Sequence, residues 1–188
     1  MPQSDAADIT EQERIPQSLR SIAAEFVAVS DSDKMQLLLE FSDDLPEVPQ
    51  HYADHPELLE PVPECQSPVA VIAEVTPASD AGRVPSADTS IASLENEDIS
   101  NAGESSEAKV TLVISAPPEA PTTRGFAGIL HAGLNGCTPS QVLAVPAEFP
   151  YHLDLEKAVS PLRLRGMTGM LLRIQDQVAK RCEPRHGH

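Results

Sequence analysis

The 188-residue sequence has few aromatic residues and few basic ones. Aromatic residues make up 3% of the chain, Trp is absent, and 13 Lys and Arg stand against 29 Asp and Glu, for a formal net charge of −16. A nucleic-acid backbone or an anionic membrane surface would repel this charge, and base stacking would find few aromatic side chains. We therefore expect neither nucleic acid nor membrane as a partner.

Long apolar runs and cysteines are also scarce. No stretch approaches the ~20 apolar residues that span a bilayer, and the opening MPQSDAADITEQER lacks the apolar segment of a signal peptide. The three cysteines are Cys65, Cys137 and Cys182, so any intramolecular disulfide scheme leaves at least one thiol free. These features predict a cytoplasmic protein with reduced thiols.

Motifs for metal, phosphate or serine-nucleophile chemistry are missing. The sequence contains no C-x-x-C pair, no glycine-rich phosphate loop and no G-x-S-x-G, and its carboxylates are dispersed. His131 and His152 stand alone on predicted helices, where a surface or packing role is the simplest interpretation. The remaining chemical candidate is Cys65.

Apolar spacing predicts helices on both sides of a short sheet. Helices are expected over 15–29, from DSDK at 31–34 to before LPEVP, around FAGILHAGL, after the capping box TPSQ, and from Ser160 onward. Strands are expected at 57–62, 68–75 and 109–115. The prediction is an α+β domain with about three antiparallel strands packed against several helices.

The chain divides into a domain and three polar segments. Residues 1–14 and 182–188 are predicted to be disordered tails, and 15–181 to be the domain. Within it, 76–108 is rich in Ser, Ala and acidic residues, with little that forms a core. We expect this acidic insertion to be disordered and to replace a simple hairpin turn.

Two interpretations of Cys65 follow from its neighbours. It lies between two prolines, just before an apolar strand, so it is either a small buried hydrophobe or a reactive thiol on a loop. A thiolate is favoured by nearby cations, which Arg163 and Arg165 could supply, and the adjacent Glu64 opposes it. Local sequence leaves both interpretations open.

Four segments, in order, resemble the SufE family of sulfur-acceptor proteins. They are KMQLLLEFSDDLPEVP (34–49), ECQSPV (64–69), EAPTTRGFAGIL (119–130) and SPLRLRGMTGM (160–170). Together they span most of residues 15–181. The resemblance implies a fold of the SufE/IscU type.

The resemblance also implies roles for individual residues. Cys65 matches the family's persulfide-accepting cysteine, and Gln66 and Ser67 continue its G-C-Q-S signature. Arg124 matches the basic residue at the start of the helix after the third strand, and Arg163 matches a position in the S-P-x-R-x-N-G segment. Three positions depart from the family pattern: Glu64 replaces Gly, Glu119 stands where Asp is common, and Arg165 where Asn is common.

The implied function is sulfur transfer for iron–sulfur cluster assembly. Cys65 would take persulfide sulfur from a pyridoxal-phosphate cysteine desulfurase, stimulate its turnover and pass the sulfur to a scaffold, with no cofactor of its own. The protein would be an activator and carrier more than a stand-alone enzyme. Two alternatives are an IscU-type cluster scaffold, in which Cys137 and Cys182 converge on Cys65, and an acidic adaptor without thiol chemistry.

Overall fold

Six α-helices and three strands make up the described part of the chain, residues 15–76 and 107–183 of a computed structural model. In chain order they are α1 (Gln17–Ala28), α2 (Asp31–Asp44), α3 (Gln50–Asp54), β1 (Glu60–Pro61), β2 (Ala70–Thr76), β3 (Lys109–Ser115), α4 (Pro121–Leu134), α5 (Pro139–Leu143) and α6 (Pro161–Cys182). Short 3-10 helices lie at Pro56–Leu58 and Phe149–Leu153. The predicted α+β class is confirmed.

The sheet is antiparallel with the order β1-β2-β3, and its register runs from Ala70↔Ser115 to Thr76↔Lys109. Alternate residues of β2 and β3 face the core, as the period-two pattern predicted. The buried residues of this face are Val69, Val71, Ala73, Val110, Leu112 and Ile114. The ELLEPV segment forms less strand than expected, because its first part is a 3-10 turn and β1 has two residues.

Helix α4 occupies the centre of the helical layer and contacts α1, α2 and α6. Its predicted apolar face is confirmed, since Phe126, Ile129, Leu130 and Leu134 are all fully buried. Gly136 follows the helix with φ +82, the left-handed conformation expected of a glycine just beyond a helix end. The Thr138 capping box, with both reciprocal hydrogen bonds, is also present.

Helix α6 packs along β2 through its methionine-rich stripe. Apolar spacing predicts a core-facing stripe in this helix, and all its members are buried: Met167, Met170, Leu171, Ile174 and Val178. Gln177, on the same face, accepts a hydrogen bond from Ala73 N at 2.8 Å and donates to Val71 O at 3.2 Å. These bonds fix the helix against the middle strand of the sheet.

Apolar spacing predicts Met35, Leu38 and Leu39 on the buried face of α2, and the observed face differs. Leu38 is buried, whereas Met35 and Leu39 are half-buried and Lys34 is 2% exposed. The Lys34 ammonium donates to the side chain and the backbone carbonyl of Asp154, a residue in the left-handed backbone conformation with φ 50°. This ion pair with a residue from a distant part of the chain allows the charged Lys34 to lie on the buried face of α2.

Most of the predicted polar segments lie outside the described residues, namely 1–14, 77–106 and 184–188. At their edges, Thr76 belongs to β2 and Cys182 is the last residue of α6. Among the helices of residues 15–76 and 107–183, none combines the length and apolarity required to cross a bilayer.

Candidate functional site

Cys65 lies on the connection between β1 and β2, which we call the cysteine loop (residues 62–69). The loop is closed at its base by a hydrogen bond from Val62 N to Val69 O of 2.8 Å. Inside it, Cys65 N donates to Val62 O at 3.1 Å. The strand pairing of β1 and β2 therefore fixes both ends of the segment that presents the thiol.

The cysteine loop rests on two glycines of α6. The Cys65 thiol lies 3.5 Å from Gly166 O, and a Cβ added at Gly166 would come within 3.3 Å of the Cys65 sulfur. A Cβ added at Gly169 would come within 2.7 Å of Glu64 Cβ, which is closer than real side chains approach. Since any larger residue at Gly169 would displace the loop, the G-x-x-G spacing in α6 is what lets it lie so close.

A small pocket opens beside the Cys65 sulfur, between the loop and the first turns of α4 and α6. Its lining includes Gln66, Phe126, Leu162, Arg163 and Met170. Phe126 and Met170 are fully buried and form an apolar wall, whereas Arg163 and Leu162 lie at the rim. The thiol thus faces the buried side chains of Phe126 and Met170 on one side and the exposed side chains of Leu162 and Arg163 on the other.

The ionisation of Cys65 is suppressed in this arrangement. Burial is the main cause, and the neighbouring Glu64 carboxylate the second, of a rise in the Cys65 pKa from 9.0 to about 11. The predicted opposition by Glu64 is therefore seen. The expected compensation by Arg163 and Arg165 is not, because the Arg163 guanidinium instead donates to Thr122 Oγ1 at 3.0 Å and Arg165 is exposed.

Glu64 is held by an arginine that sequence analysis did not identify. Arg173 donates to Glu60 Oε1 at 2.7 Å and to Glu64 Oε1 at 3.3 Å, so it bridges β1 and the cysteine loop from α6. Gln177 donates to the other oxygen of Glu60 at 3.0 Å. These contacts form a polar chain from the middle of the sheet to the residue before Cys65.

The other residues assigned by resemblance take different places. The Arg124 guanidinium donates to three backbone carbonyls, of Ser42 at 3.0 Å, Ala116 at 2.8 Å and Leu45 at 3.2 Å. It therefore joins α2, the end of β3 and α4. Glu119 is exposed in the turn before α4. Of the predicted set, the structure brings together Cys65, Glu64, Gln66 and Arg163.

The resemblance covered Gly166 but did not single out Gly169 or Arg173, although their spacing on α6 is visible in the sequence. The spacing of Gly166 and Gly169 indicates a close approach to one face of α6. Arg173 follows Gly169 by four residues and so lies one turn further along that face. Its partner could not be identified from sequence, because Glu60 and Glu64 belong to a segment more than 100 positions away.

The three cysteines are far apart. Cys182 follows Gly166 by 16 residues on the same helix, which places it about 24 Å along α6 from the residue that the Cys65 sulfur contacts. Cys137 O accepts a hydrogen bond from Val110 N. Val110 lies five residues along β3 from Ser115, the partner of Ala70, so Cys137 is at the far end of the β2–β3 ladder, about 17 Å from Ala70. Within residues 15–76 and 107–183, no three His, Cys, Asp or Glu side chains are grouped for metal binding.

The described residues form a small α+β domain, and comparisons with known proteins identify its family. Residues 102–178 match the SufE family model, described as an Fe-S metabolism associated domain. Two uncharacterized SufE-like proteins from Mycobacterium tuberculosis strains are each 42% identical over 161 residues, covering 86% of this chain and 91% of theirs. The chain belongs to the SufE family.

A solved structure supports the same fold. The solution structure of a hypothetical protein from Thermus thermophilus is similar with a TM-score of 0.64 and 33% identity, covering 89% of this chain and 97% of that one. The family-model match begins after Cys65 and therefore does not include the thiol.

Proposed function

We propose that the protein is a sulfur acceptor that takes persulfide sulfur from a cysteine desulfurase onto Cys65. It would raise the turnover of that enzyme and deliver the sulfur to a cytoplasmic iron–sulfur scaffold. The observation that carries this proposal is the placement of Cys65 alone of the three cysteines on a loop packed over two glycines, beside a small pocket. Such a loop can both present and cover a thiol.

The proposed reaction is a thiol–persulfide exchange. The Cys65 thiol loses its proton, and the thiolate attacks the outer sulfur of the enzyme's cysteine persulfide. The new S–S bond forms as the old one breaks, and the enzyme's cysteine leaves as a thiolate. The exchange moves one sulfur between two cysteines, without an external oxidant or reductant.

The raised pKa fits a carrier that is inactive when free. At neutral pH the Cys65 thiol of the closed loop is protonated, because its pKa lies near 11. Nucleophilic attack then requires the loop to leave the apolar wall, which removes the main cause of the shift. Coupling ionisation to opening would confine sulfur uptake to the complex with the desulfurase.

The test is transfer of labelled sulfur. We expect incubation with a cysteine desulfurase and sulfur-labelled cysteine to put label on the wild-type protein, and a reductant to remove it. Cys65→Ser should acquire none, while a Cys137→Ala, Cys182→Ala double variant should acquire as much as wild type. Reductant-labile label on Cys65→Ser would refute the proposal.

The geometry disfavours the IscU-type scaffold. A nascent cluster needs several ligands around one point, whereas Cys137 lies about 17 Å from Ala70, the residue after the loop, and Cys182 about 24 Å from Gly166, which the Cys65 sulfur contacts. The adaptor alternative rests on the acidic insertion, which lies almost entirely outside the described residues. Deleting residues 77–106 should leave desulfurase stimulation nearly intact if Cys65 carries the function.

A further inference from the structure

We infer that Arg173 is a latch that holds the cysteine loop closed through Glu64, and that a sulfur donor must release this contact to reach Cys65. The inference rests on the proposed function, since a latch on this loop matters only if Cys65 accepts sulfur. It gives Arg173 and Glu64 positioning roles rather than catalytic ones. Neither side chain is among the atoms that react.

The two ends of the latch differ in strength. On the fixed side, Arg173 meets Glu60 at 2.7 Å, and Glu60 is held in turn by Gln177 at 3.0 Å. Gln177 is 6% exposed and bonded to the backbone of β2. This side therefore belongs to the rigid body of the protein.

The loop side is weaker and more accessible. The two distances from Arg173 Nη2 to the Glu64 carboxylate are 3.3 and 3.5 Å, and the Glu64 side chain is 45% exposed. Its exposure means that water or a partner's side chain can compete for the carboxylate. The contact with Glu64 is thus the one that can break while Arg173 stays on Glu60.

The position of Glu64 makes the contact specific for the thiol. Glu64 directly precedes Cys65, and its side chain lies across Gly169 while the Cys65 sulfur lies on Gly166. Release of Glu64 from α6 would lift the adjacent residue from the same helical face. The Arg173–Glu64 pair therefore controls the exposure of Cys65 without touching its sulfur.

Hydrogen exchange of the full-length protein tests the latch. We expect the peptide covering residues 62–68 to exchange about two- to fivefold faster in Arg173→Gln and in Glu64→Gln, the range for a partly exposed ion pair. Arg181→Gln, an equivalent change eight residues further along α6, should leave the exchange of this peptide unchanged. Backbone exchange at one pH does not depend on thiol ionisation, so a pKa change of Cys65 cannot mimic the result.

A double variant separates a latch from a general structural role. If Arg173 and Glu64 act through their shared contact, the effects of Arg173→Gln and Glu64→Gln on the exchange rate should be clearly less than additive in the double variant. Unchanged exchange in both single variants, or additive effects in the double variant, would overturn the inference. Sulfur transfer to wild-type Cys65 would still stand in that case, whereas failure of transfer in the labelling experiment would refute the function irrespective of the exchange rates.

Discussion

Gly169 of α6 lies directly beneath Glu64 of the cysteine loop, so that a Cβ at position 169 would come within 2.7 Å of Glu64 Cβ. The clash would be with the base of the Glu64 side chain, which cannot rotate away without moving the backbone. The loop and the helix are therefore matched in shape at this point.

The first prediction follows from this contact. Gly169→Ala should displace the cysteine loop and raise the rate of Cys65 alkylation by iodoacetamide several-fold, measured in the Cys137→Ala, Cys182→Ala background. Global stability should change little, because Ala gains about 1 kcal/mol of helix propensity that offsets the lost packing. Gly166→Ala, where the nearest atom is 3.3 Å away, should have a smaller effect. Equal alkylation of Gly169→Ala and its parent would contradict the close fit.

The sequence predicted the elements of this site better than their arrangement. Periodicity identified the strand after Cys65 and the apolar stripe of α6, because both depend on burial patterns that repeat locally. The contacts of Arg173 and Lys34 could not be predicted, since each depends on a carboxylate from a distant part of the chain. Arg124 was predicted as a site residue only from the family resemblance. In the structure its guanidinium donates to backbone carbonyls instead.

The second prediction concerns the pH dependence of Cys65. Burial and Glu64 both favour the protonated form, so the thiol should stay protonated above its ordinary pKa of 9.0 and ionise near 11. Glu64→Gln removes the carboxylate that is the smaller cause of the shift and weakens the contact of the loop with Arg173. The Cys65 pKa should therefore fall in this variant. The difference in absorbance near 240 nm between the variant lacking the other cysteines and its Cys65→Ser counterpart, followed against pH, removes the contribution of the two tyrosines and measures both values. A wild-type pKa at or below 9 would contradict the closed loop.

The third prediction is that Arg124 stabilises the fold. Arg124→Met removes three hydrogen bonds and leaves the carbonyls of Ser42, Leu45 and Ala116 without this donor. Charged hydrogen bonds of this kind contribute roughly 1.5–3 kcal/mol each, with incomplete additivity. We expect the free energy of unfolding in urea to fall by about 3 kcal/mol.

Arg163→Met is the matched control for Arg124. The exposed Arg163 makes one side-chain hydrogen bond, to Thr122, so its loss should cost about 0.5 kcal/mol or less. Arg163 lines the Cys65 pocket, and the same variant should slow sulfur uptake if this rim contacts the donor. Similar unfolding free energies for the two variants would show that the carbonyl contacts of Arg124 contribute little.

The fourth prediction distinguishes a carrier from a cluster scaffold. Anaerobic reconstitution with iron and sulfide should give no stable, stoichiometric cluster on the wild-type protein, because Cys182 stands about 24 Å along α6 from the residue that Cys65 contacts. Absorbance near 400 nm and iron content per chain measure the outcome. The contradicting result would be a cluster of constant stoichiometry that is lost in each of Cys65→Ser, Cys137→Ser and Cys182→Ser. The three thiols would then have to meet, either through a rearrangement of this fold or between two copies of the chain. A cluster that survives all three substitutions would instead indicate adventitious iron, since none of the thiols would then be a ligand.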